Sequence, residues 1–228
     1  MQNPEFRKKV GQFLWDVLKI RSADSVSTIL DVGANIGQSA TRYRIAFPSA
    51  DIHAFEPVPE TFDTLKAAMA EDGSVHCHNL ALSDRSGSVQ MSVQGTSVSN
   101  RIVARKTATS VTVETQRGDE FCASRGLEHI DLLKIDAEGH DETVLHGFSG
   151  LIRSGSIDMI QVECSMNPSN VKHIGFWVFY SYLERFGYRL FRIYDQTPEF
   201  NRPWVLRRTN PVFVSPALSD IVVQKVKA

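Results

Sequence analysis

The chain has 228 residues, of which 42% are hydrophobic and 22% charged, and its formal net charge is -1. These values are typical of one globular domain, and they exclude an overall positive field that would attract nucleic acid or an anionic membrane surface. Its three cysteines, Cys77, Cys122 and Cys164, form no paired motif, which favours a reducing compartment over a secreted disulfide framework. We therefore expect a cytoplasmic protein.

Residues 1–28 are predicted to form an amphipathic helical extension ahead of the main domain. Apolar side chains recur at helical spacing between Phe6 and Leu18. Charged residues interrupt this stripe, so it has neither the apolar run of a signal peptide nor that of a membrane span, and no later run is long enough. We predict that the helix packs on the core or covers the cofactor, and that residues 29–228 form a single domain.

A glycine loop follows the first apolar run. Gly33 and Gly37 permit a sharp turn and a close approach of the backbone to a ligand. Asn35 and Gln38 stand where a dinucleotide fingerprint has its second and third glycines, and the lysine and hydroxyl pair of a P-loop is missing. The loop therefore suits a nucleoside without a pyrophosphate, such as S-adenosylmethionine.

Strand and helix patterns alternate along the rest of the chain. The seven predicted strands lie near residues 29–32, 51–56, 75–78, 130–135, 157–163, 188–194 and 211–215. The helical patterns between them lie near residues 40–47, 62–69, 118–124, 144–152 and 176–183. This order predicts an α/β fold with a doubly wound, mostly parallel sheet and with ligands beyond the carboxyl ends of the strands.

Two segments depart from this alternation. Between residues 87 and 113, alternating apolar residues flank a Ser/Thr-rich stretch, which predicts an antiparallel β-hairpin insertion at the edge of the sheet. Its loop carries Arg101, Arg105 and Lys106, and it either borders a substrate cleft or is a plain solvated loop. The connection between the last two strands is expected to lie over the carboxyl ends of the strands.

Three acidic residues stand at the ends of predicted strands and would face one crevice. Asp31 precedes the glycine loop, Glu56 follows the second strand and Asp136 follows the fourth. Glu56 comes 19 residues after Gly37, which is about the separation that places a carboxylate on a ribose diol. We predict this role for Glu56. For Asp31, local turn hydrogen bonding is an alternative that does not exclude contact with the cofactor.

The densest polar cluster of the sequence comprises Asp136, Glu138, His140 and Asp141. Its acids are of the kind favoured in the first turn of a helix, because they complement the helix dipole. A second interpretation is a base for an acceptor hydroxyl, supplied by His140 or Asp136. We predict no metal; the alternative is a ligand set of Asp136, Glu138 and His140.

Four sequence blocks together resemble the FkbM family of class I S-adenosylmethionine-dependent methyltransferases. The blocks are residues 31–37, 55–57, 79–84 and 131–139. The resemblance implies a Rossmann-like methyltransferase fold with an antiparallel last strand. It also implies transfer of a methyl group to a hydroxyl of a sugar, glycan or natural product. The chain departs from the family at Gly118, where leucine is common, and at Asp141, where glutamate is common; the second departure bears on the geometry of the acceptor.

The resemblance also implies roles for individual residues. Those expected to bind the cofactor are Asp31, Gly33, Asn35, Gly37, Glu56 and Asn79. The glycine loop would surround the amino-acid part of the cofactor, Glu56 the ribose and Asn79 the adenine. Asp136 would lie between cofactor and acceptor, and Asp136 and His140 are the predicted catalytic residues.

The expected activity needs little acid or base strength, because a sulfonium methyl group is already activated and alignment of the acceptor oxygen contributes most. A neutral His140 or an ionised Asp136 would suffice as its base. Two alternatives stay open: a non-catalytic S-adenosylmethionine-binding domain, and a nicotinamide-dependent oxidoreductase or epimerase, which the glycine spacing disfavours. We expect a small-molecule or glycan acceptor and no nucleic acid, while the sequence leaves the identity of the acceptor and the oligomeric state open.

Overall fold

A computed structural model describes residues 3–93, 101–103, 110–170 and 172–227. The helices in these ranges are α1 (Pro4–Ile20), α2 (Gln38–Ala46), α3 (Pro59–Ala68), α4 (Gly118–Arg125), α5 (Asp141–Gly147), α6 (Ser149–Ser154), α7 (Phe176–Glu184) and α8 (Pro216–Lys227), with a turn of 3-10 helix at Ala23–Ser25. The strands are β1 (Thr28–Val32), β2 (Asp51–Phe55), β3 (Val75–His78), β4 (Ala81–Ser83), β5 (Gly87–Ser92), β6 (Arg101–Val103), β7 (Ser110–Arg117), β8 (Ile130–Ile135), β9 (Ile157–Val162), β10 (Cys164–Ser165), β11 (Arg189–Glu199) and β12 (Arg202–Val214).

The central sheet has the order β3-β2-β1-β8-β9-β12-β11, and the short β10 continues along β12 beyond the end of β9. Strands β1, β2, β3, β8 and β9 are parallel, whereas β12 is antiparallel to both of its neighbours. Helices and apolar clusters cover both faces of the sheet, which is why its central strands are almost continuously apolar. The predicted α/β fold with an antiparallel last strand is confirmed.

The predicted hairpin insertion is present, but it is not at the edge of the main sheet. Strands β5 and β7 pair in antiparallel fashion and belong to a separate four-stranded sheet, β4-β7-β5-β6. This sheet has its own small apolar cluster, which includes Val58, Met91 and Val113. Burial of that cluster explains the separate sheet. Of the basic residues predicted for the loop, Arg105 and Lys106 lie outside the described residues, and only the backbone placement of Arg101 is described.

Most of the predicted connection between the last two strands is itself β-strand. β11 and β12 form a long hairpin that turns at Phe200 and Asn201. Because Cys164 of β10 pairs with Thr209, the part of β12 before Thr209 extends beyond the carboxyl end of β9. The segment therefore lies on the expected side of the sheet, but as a hairpin that leaves Phe200 and Trp204 more than 80% exposed.

Helix α1 packs on the core. Its apolar stripe, including Val10, Leu14 and Val17, is buried in the same cluster as α2 and the end of β12. Gly11 has a positive φ of 83° and interrupts the helix. The division of the chain into an extension and one domain stays a prediction. Among the described helices, none combines the length and apolarity needed to cross a bilayer.

Asp131 joins three elements at the amino ends of the central strands. This residue of β8 is 2% exposed, and its carboxylate accepts hydrogen bonds from the backbone N–H groups of Ser27 and Thr28, at 2.8 and 2.9 Å. The guanidinium of Arg21, just after α1, lies 2.7 Å from the same carboxylate. Asp131 thus fixes the start of β1 and the end of α1 against β8.

We predict that Asp131→Ala lowers the free energy of unfolding by about 3 kcal/mol, because it removes a buried carboxylate that accepts from the N–H groups of Ser27 and Thr28 and pairs with Arg21. Urea denaturation followed by circular dichroism measures this loss. The control is Glu128→Ala, which removes a nearby exposed carboxylate and should change the unfolding free energy by less than about 0.5 kcal/mol. Equal effects of the two substitutions would contradict the role of Asp131.

Candidate functional site

A cavity of about 330 Å³ opens beyond the carboxyl ends of β1, β2 and β8. Its polar lining residues are Asn35, Gln38, Ser39, Glu56, Lys134, Asp136, Glu138, His140 and Arg208. Apolar side chains complete the wall, among them Leu80, Leu82 and Met91. A mostly parallel sheet places its ligands at this edge, and the volume lies within the roughly 300–1,000 Å³ of small-molecule sites.

Gly33 brings two loops of the cavity into contact. Its φ is +76°, and a Cβ atom at this position would lie 1.9 Å from the carbonyl oxygen of Asp136. The N–H groups of Gly33 and Ala34 donate to the carbonyl oxygen of Phe55, at 3.0 and 2.9 Å. The loop after β1 is therefore held between the ends of β2 and β8, and only glycine fits at position 33.

Asn35 and Gly37 complete the glycine loop in different ways. Asn35 lines the cavity with a positive φ of 51°, and its buried Oδ1 atom has no hydrogen-bond partner among the described residues. Buried polar atoms are rarely left unpaired, so this oxygen is available to a donor on a ligand. Gly37 has a φ of +93°, precedes α2 and packs against Met69, outside the cavity lining.

Lys134 lies under the loop and pairs with two carboxylates. Its Nζ atom is 3.0 Å from Oδ1 of Asp31 and 3.5 Å from Oδ2 of Asp136. Burial alone disfavours the ammonium, but the two carboxylates outweigh it and raise the pKa of Lys134, so this side chain stays charged. Asp31 is fully buried beneath the cavity and is not part of its lining; its contact with the cofactor stays a prediction.

Glu56 lines the cavity, and Asn79 supports it. The Glu56 carboxylate accepts a hydrogen bond from the backbone N–H of Val58 at 3.0 Å, and burial raises the pKa of Glu56 although this bond opposes the shift. The side-chain amide of Asn79 donates to the carbonyl oxygens of Glu56 and Pro57, both at 3.0 Å. Asn79 thus fixes the turn that presents Glu56 without lining the cavity, and its proximity to adenine stays a prediction.

Three residues of the predicted polar cluster line the cavity, and the fourth, Asp141, supports the loop beside it. Asp136, Glu138 and His140 line the cavity. Nε2 of His140 lies 3.1 Å from Oγ of Ser83, and burial lowers the pKa of His140, so the ring is neutral at pH 7. Asp141 is 1% exposed and caps the preceding loop, since its carboxylate accepts from two backbone N–H groups of residues 137–139. The helix-start interpretation therefore applies to Asp141.

The described residues contain one cluster of three potential metal ligands whose donor atoms lie within 4.8 Å of one another. It comprises His129, Asp131 and Asp158, at the amino ends of β8 and β9 and far from the cavity. Arg21 pairs with both carboxylates, so their charge is already compensated. Among the same described residues, Asp136, Glu138 and His140 do not form such a cluster.

Several lining residues, including Lys134 and Met91, received no role from the sequence. Lys134 is a single charge near the end of an apolar strand, a signal that could have indicated a partnered functional group. Met91 and Arg208 gave no comparable signal, because Met91 belongs to the second sheet and Arg208 reaches the cavity only through the register of the β11–β12 hairpin.

The sequence model of the methyltransferase FkbM domain matches residues 31–190. The chain belongs to this family. Among its relatives, hexuronic acid methyltransferase AglP of Haloferax volcanii is 30% identical over 155 residues, covering 68% of this chain and 63% of the relative. 2-O-methyltransferase NoeI of Sinorhizobium fredii is 29% identical over 136 residues, covering 52% and 56%. The matches thus span less than two thirds of either relative.

Solved structures share the fold of this FkbM domain at low sequence identity. Aeropyrum pernix fibrillarin in complex with natively bound S-adenosyl-L-methionine superposes with a TM-score of 0.50 at 14% identity, covering 90% of this chain and 76% of that one. Family and fold together identify a class I, Rossmann-like methyltransferase domain whose cofactor is S-adenosylmethionine. The earlier alternative of a nicotinamide-dependent enzyme finds no support here.

The cavity of this FkbM domain fits that cofactor. The unpaired Oδ1 of Asn35 requires a hydrogen-bond donor, and the Glu56 carboxylate can accept further hydrogen bonds besides the one from Val58. An ammonium and a ribose diol supply such donors. Leu80 and Leu82 add apolar surface beside Glu56 for a flat base. These residues would hold the cofactor along the ends of β1 and β2.

We predict that Gly33→Ala weakens S-adenosylhomocysteine binding at least tenfold, because a Cβ atom forces the loop away from the Asp136 carbonyl. Gly155→Ala is the matched control: its φ of +71° imposes similar backbone strain, but no described atom lies within 4 Å of its Cβ position. Calorimetric titration of both variants measures the difference. Unchanged affinity in Gly33→Ala would show that the loop contact does not shape the site.

Proposed function

We propose that this FkbM domain transfers the methyl group of S-adenosylmethionine to a hydroxyl oxygen of a sugar, glycan or other small molecule. The observation that carries the proposal is the division of one cavity into two polar parts. Asn35 and Glu56 stand at the ends of β1 and β2, while Asp136, Glu138 and His140 stand after β8. A nucleoside held by the first pair leaves the second group for an acceptor.

The hydroxyl acceptor is also supported by the relatives. The two relatives above are named as a hexuronic acid methyltransferase and a 2-O-methyltransferase. Carboxylate and imidazole groups in the acceptor part of the cavity hydrogen-bond readily to hydroxyl groups. On the β11–β12 hairpin, the exposed rings of Phe200 and Trp204 offer stacking surfaces for a sugar, whereas Tyr180 and Tyr182 pack against the core.

The protein would contribute alignment, a dry site and hydrogen bonding. Bound S-adenosylmethionine supplies a methyl group that is already activated for attack by oxygen. Asp136, fixed by Lys134, and His140, fixed by Ser83, are proposed to position the acceptor hydroxyl. Such positioning supplies the largest part of the rate enhancement in a reaction of this kind.

We further propose a cytoplasmic protein that does not act on nucleic acid. The unpaired state of Cys77, Cys122 and Cys164 supports a reducing compartment. The net charge of -1 lacks the positive excess that binding to a polyanion requires.

We expect isotopically labelled S-adenosylmethionine to label a hydroxyl compound from a panel of uronic acids, neutral hexosides, oligosaccharides and polyketide alcohols. Mass spectrometry of the product locates the methyl group on oxygen. Transfer RNA and ribosomal RNA serve as negative acceptors in the same assay. A protein that binds S-adenosylhomocysteine but labels no hydroxyl compound would favour the non-catalytic alternative.

Glu56→Gln should weaken S-adenosylhomocysteine binding at least tenfold at neutral pH, because an amide cannot accept two hydroxyl donors as a carboxylate does. Burial raises the pKa of Glu56, so in the unaltered protein affinity should fall as the pH drops through that raised pKa. The same fall should be missing in Glu56→Gln. Calorimetry between pH 5 and 8, with exposed Glu60→Gln as the control, measures both effects; a retained pH dependence would remove Glu56 from the ribose.

A further inference from the structure

Glu138 is held in a strained conformation at the wall of the cavity. Its φ is +48°, a left-handed value that non-glycine residues seldom adopt and that persists where the surroundings impose it. Asp141 imposes it here by accepting from the N–H groups of Ala137 and Gly139, at 3.0 and 2.9 Å. Gly139 is in turn packed against the carbonyl of Lys172. The loop itself thus fixes the backbone from which the Glu138 side chain reaches the cavity wall.

The three polar side chains in this part of the cavity differ in their partners. The carboxylate of Asp136 pairs with Lys134 at 3.5 Å, and the imidazole of His140 lies 3.1 Å from the hydroxyl of Ser83. Glu138 makes no hydrogen bond and no ion pair with any of the described residues. Its carboxylate therefore has lone pairs available for a bound molecule, and an acceptor hydroxyl requires such a partner.

Charged groups surround Glu138 on several elements. Burial is the largest influence and raises the pKa of Glu138, and the neighbouring carboxylates of Asp136 and Asp141 act in the same direction. His173 and Arg208 oppose the shift from the other side. The net effect is a raised pKa, which makes the ionised form of Glu138 a stronger base than an exposed glutamate.

We propose that Glu138 is the catalytic base that accepts the proton of the acceptor hydroxyl. This inference rests on the proposed function. The acceptor oxygen forms a bond to the methyl carbon while the bond between that carbon and sulfur breaks, with its electron pair remaining on sulfur. The hydroxyl proton passes to a carboxylate oxygen of Glu138 and later to solvent. The products are the methyl ether, S-adenosylhomocysteine and protonated Glu138.

The test compares Glu138→Gln, Glu138→Asp, Asp136→Asn and His140→Gln, with Glu142→Gln as a control on the following helix. Methyl transfer to the best hydroxyl compound of the panel is measured between pH 5 and 9, and S-adenosylhomocysteine affinity is measured by calorimetry. General-base groups contribute on the order of 10²–10⁴ to the rate. We expect Glu138→Gln to lose about 100-fold in kcat and Glu138→Asp to recover part of it.

Two further readouts separate catalysis from structure. S-adenosylhomocysteine affinity and melting temperature should be retained in Glu138→Gln, since Glu138 makes no hydrogen bond or ion pair with the described residues. In the unaltered protein, activity should fall as the pH drops through the raised pKa of Glu138, and this acidic limb should vanish in Glu138→Gln alone. Glu142→Gln should match the unaltered protein in every measurement.

Three results would overturn the inference while the proposed function stands. The first is that Glu138→Gln keeps more than about a third of kcat, since removal of a base costs at least 10² in rate. The second is a tenfold loss of S-adenosylhomocysteine affinity in Glu138→Gln, which would make Glu138 a cofactor ligand. The third is that the acidic limb of the pH profile vanishes in Asp136→Asn or His140→Gln instead. A protein that binds S-adenosylhomocysteine but methylates no hydroxyl compound would overturn both proposals.

Discussion

The buried ammonium group of Lys134 fixes the geometry on which the cavity depends. It lies between two carboxylates. Asp31 is near the end of β1, and Asp136 comes directly after β8. Burying three charges is unfavourable unless each is paired, so loss of one partner would leave the others uncompensated. The contact between Gly33 and the Asp136 carbonyl requires the two loops at this separation. The glycine loop is therefore shaped by the protein beneath it before any ligand arrives.

Polar residues around the cavity divide into those that build it and those that face a ligand. Asp31, Asn79 and Asp141 are engaged by an ammonium, by backbone carbonyls and by backbone N–H groups, respectively. Within the described residues, the Asn35 side-chain oxygen and the Glu138 carboxylate lack such partners. Buried polar groups are almost always satisfied. Asn35 and Glu138 both line the cavity and can bind a ligand there, whereas the unpaired Oδ2 of Asp31 lies beneath it. Family motifs alone do not distinguish these two sets.

The acceptor part of the cavity includes elements outside the parallel sheet. Met91 comes from the second sheet, and Arg208 comes from β12, which lies beyond the residues 31–190 that match the family. The same β12 carries the exposed Trp204 past the carboxyl end of the sheet. Under the proposed function, the cofactor would bind to the part of the fold that the family match covers, and the acceptor would also contact the β11–β12 hairpin, most of which lies outside that match.

The sequence by itself determined the alternation of strands and helices, the glycine loop and the acidic residues at strand ends, because apolar periodicity and turn chemistry are local properties. It did not separate the second sheet from the main sheet, or show that the Arg- and Pro-containing connection is a hairpin, since both depend on pairing between distant strands. Tertiary structure also decided which motif residues face the cavity. The hydrogen bond from Lys134, 103 residues away in the chain, holds Asp31 beneath the cavity. The hydrogen bonds to Asp141 hold the loop in the conformation that places Glu138 in the cavity wall. Burial and partner choice arise from such long-range contacts, which no local pattern encodes.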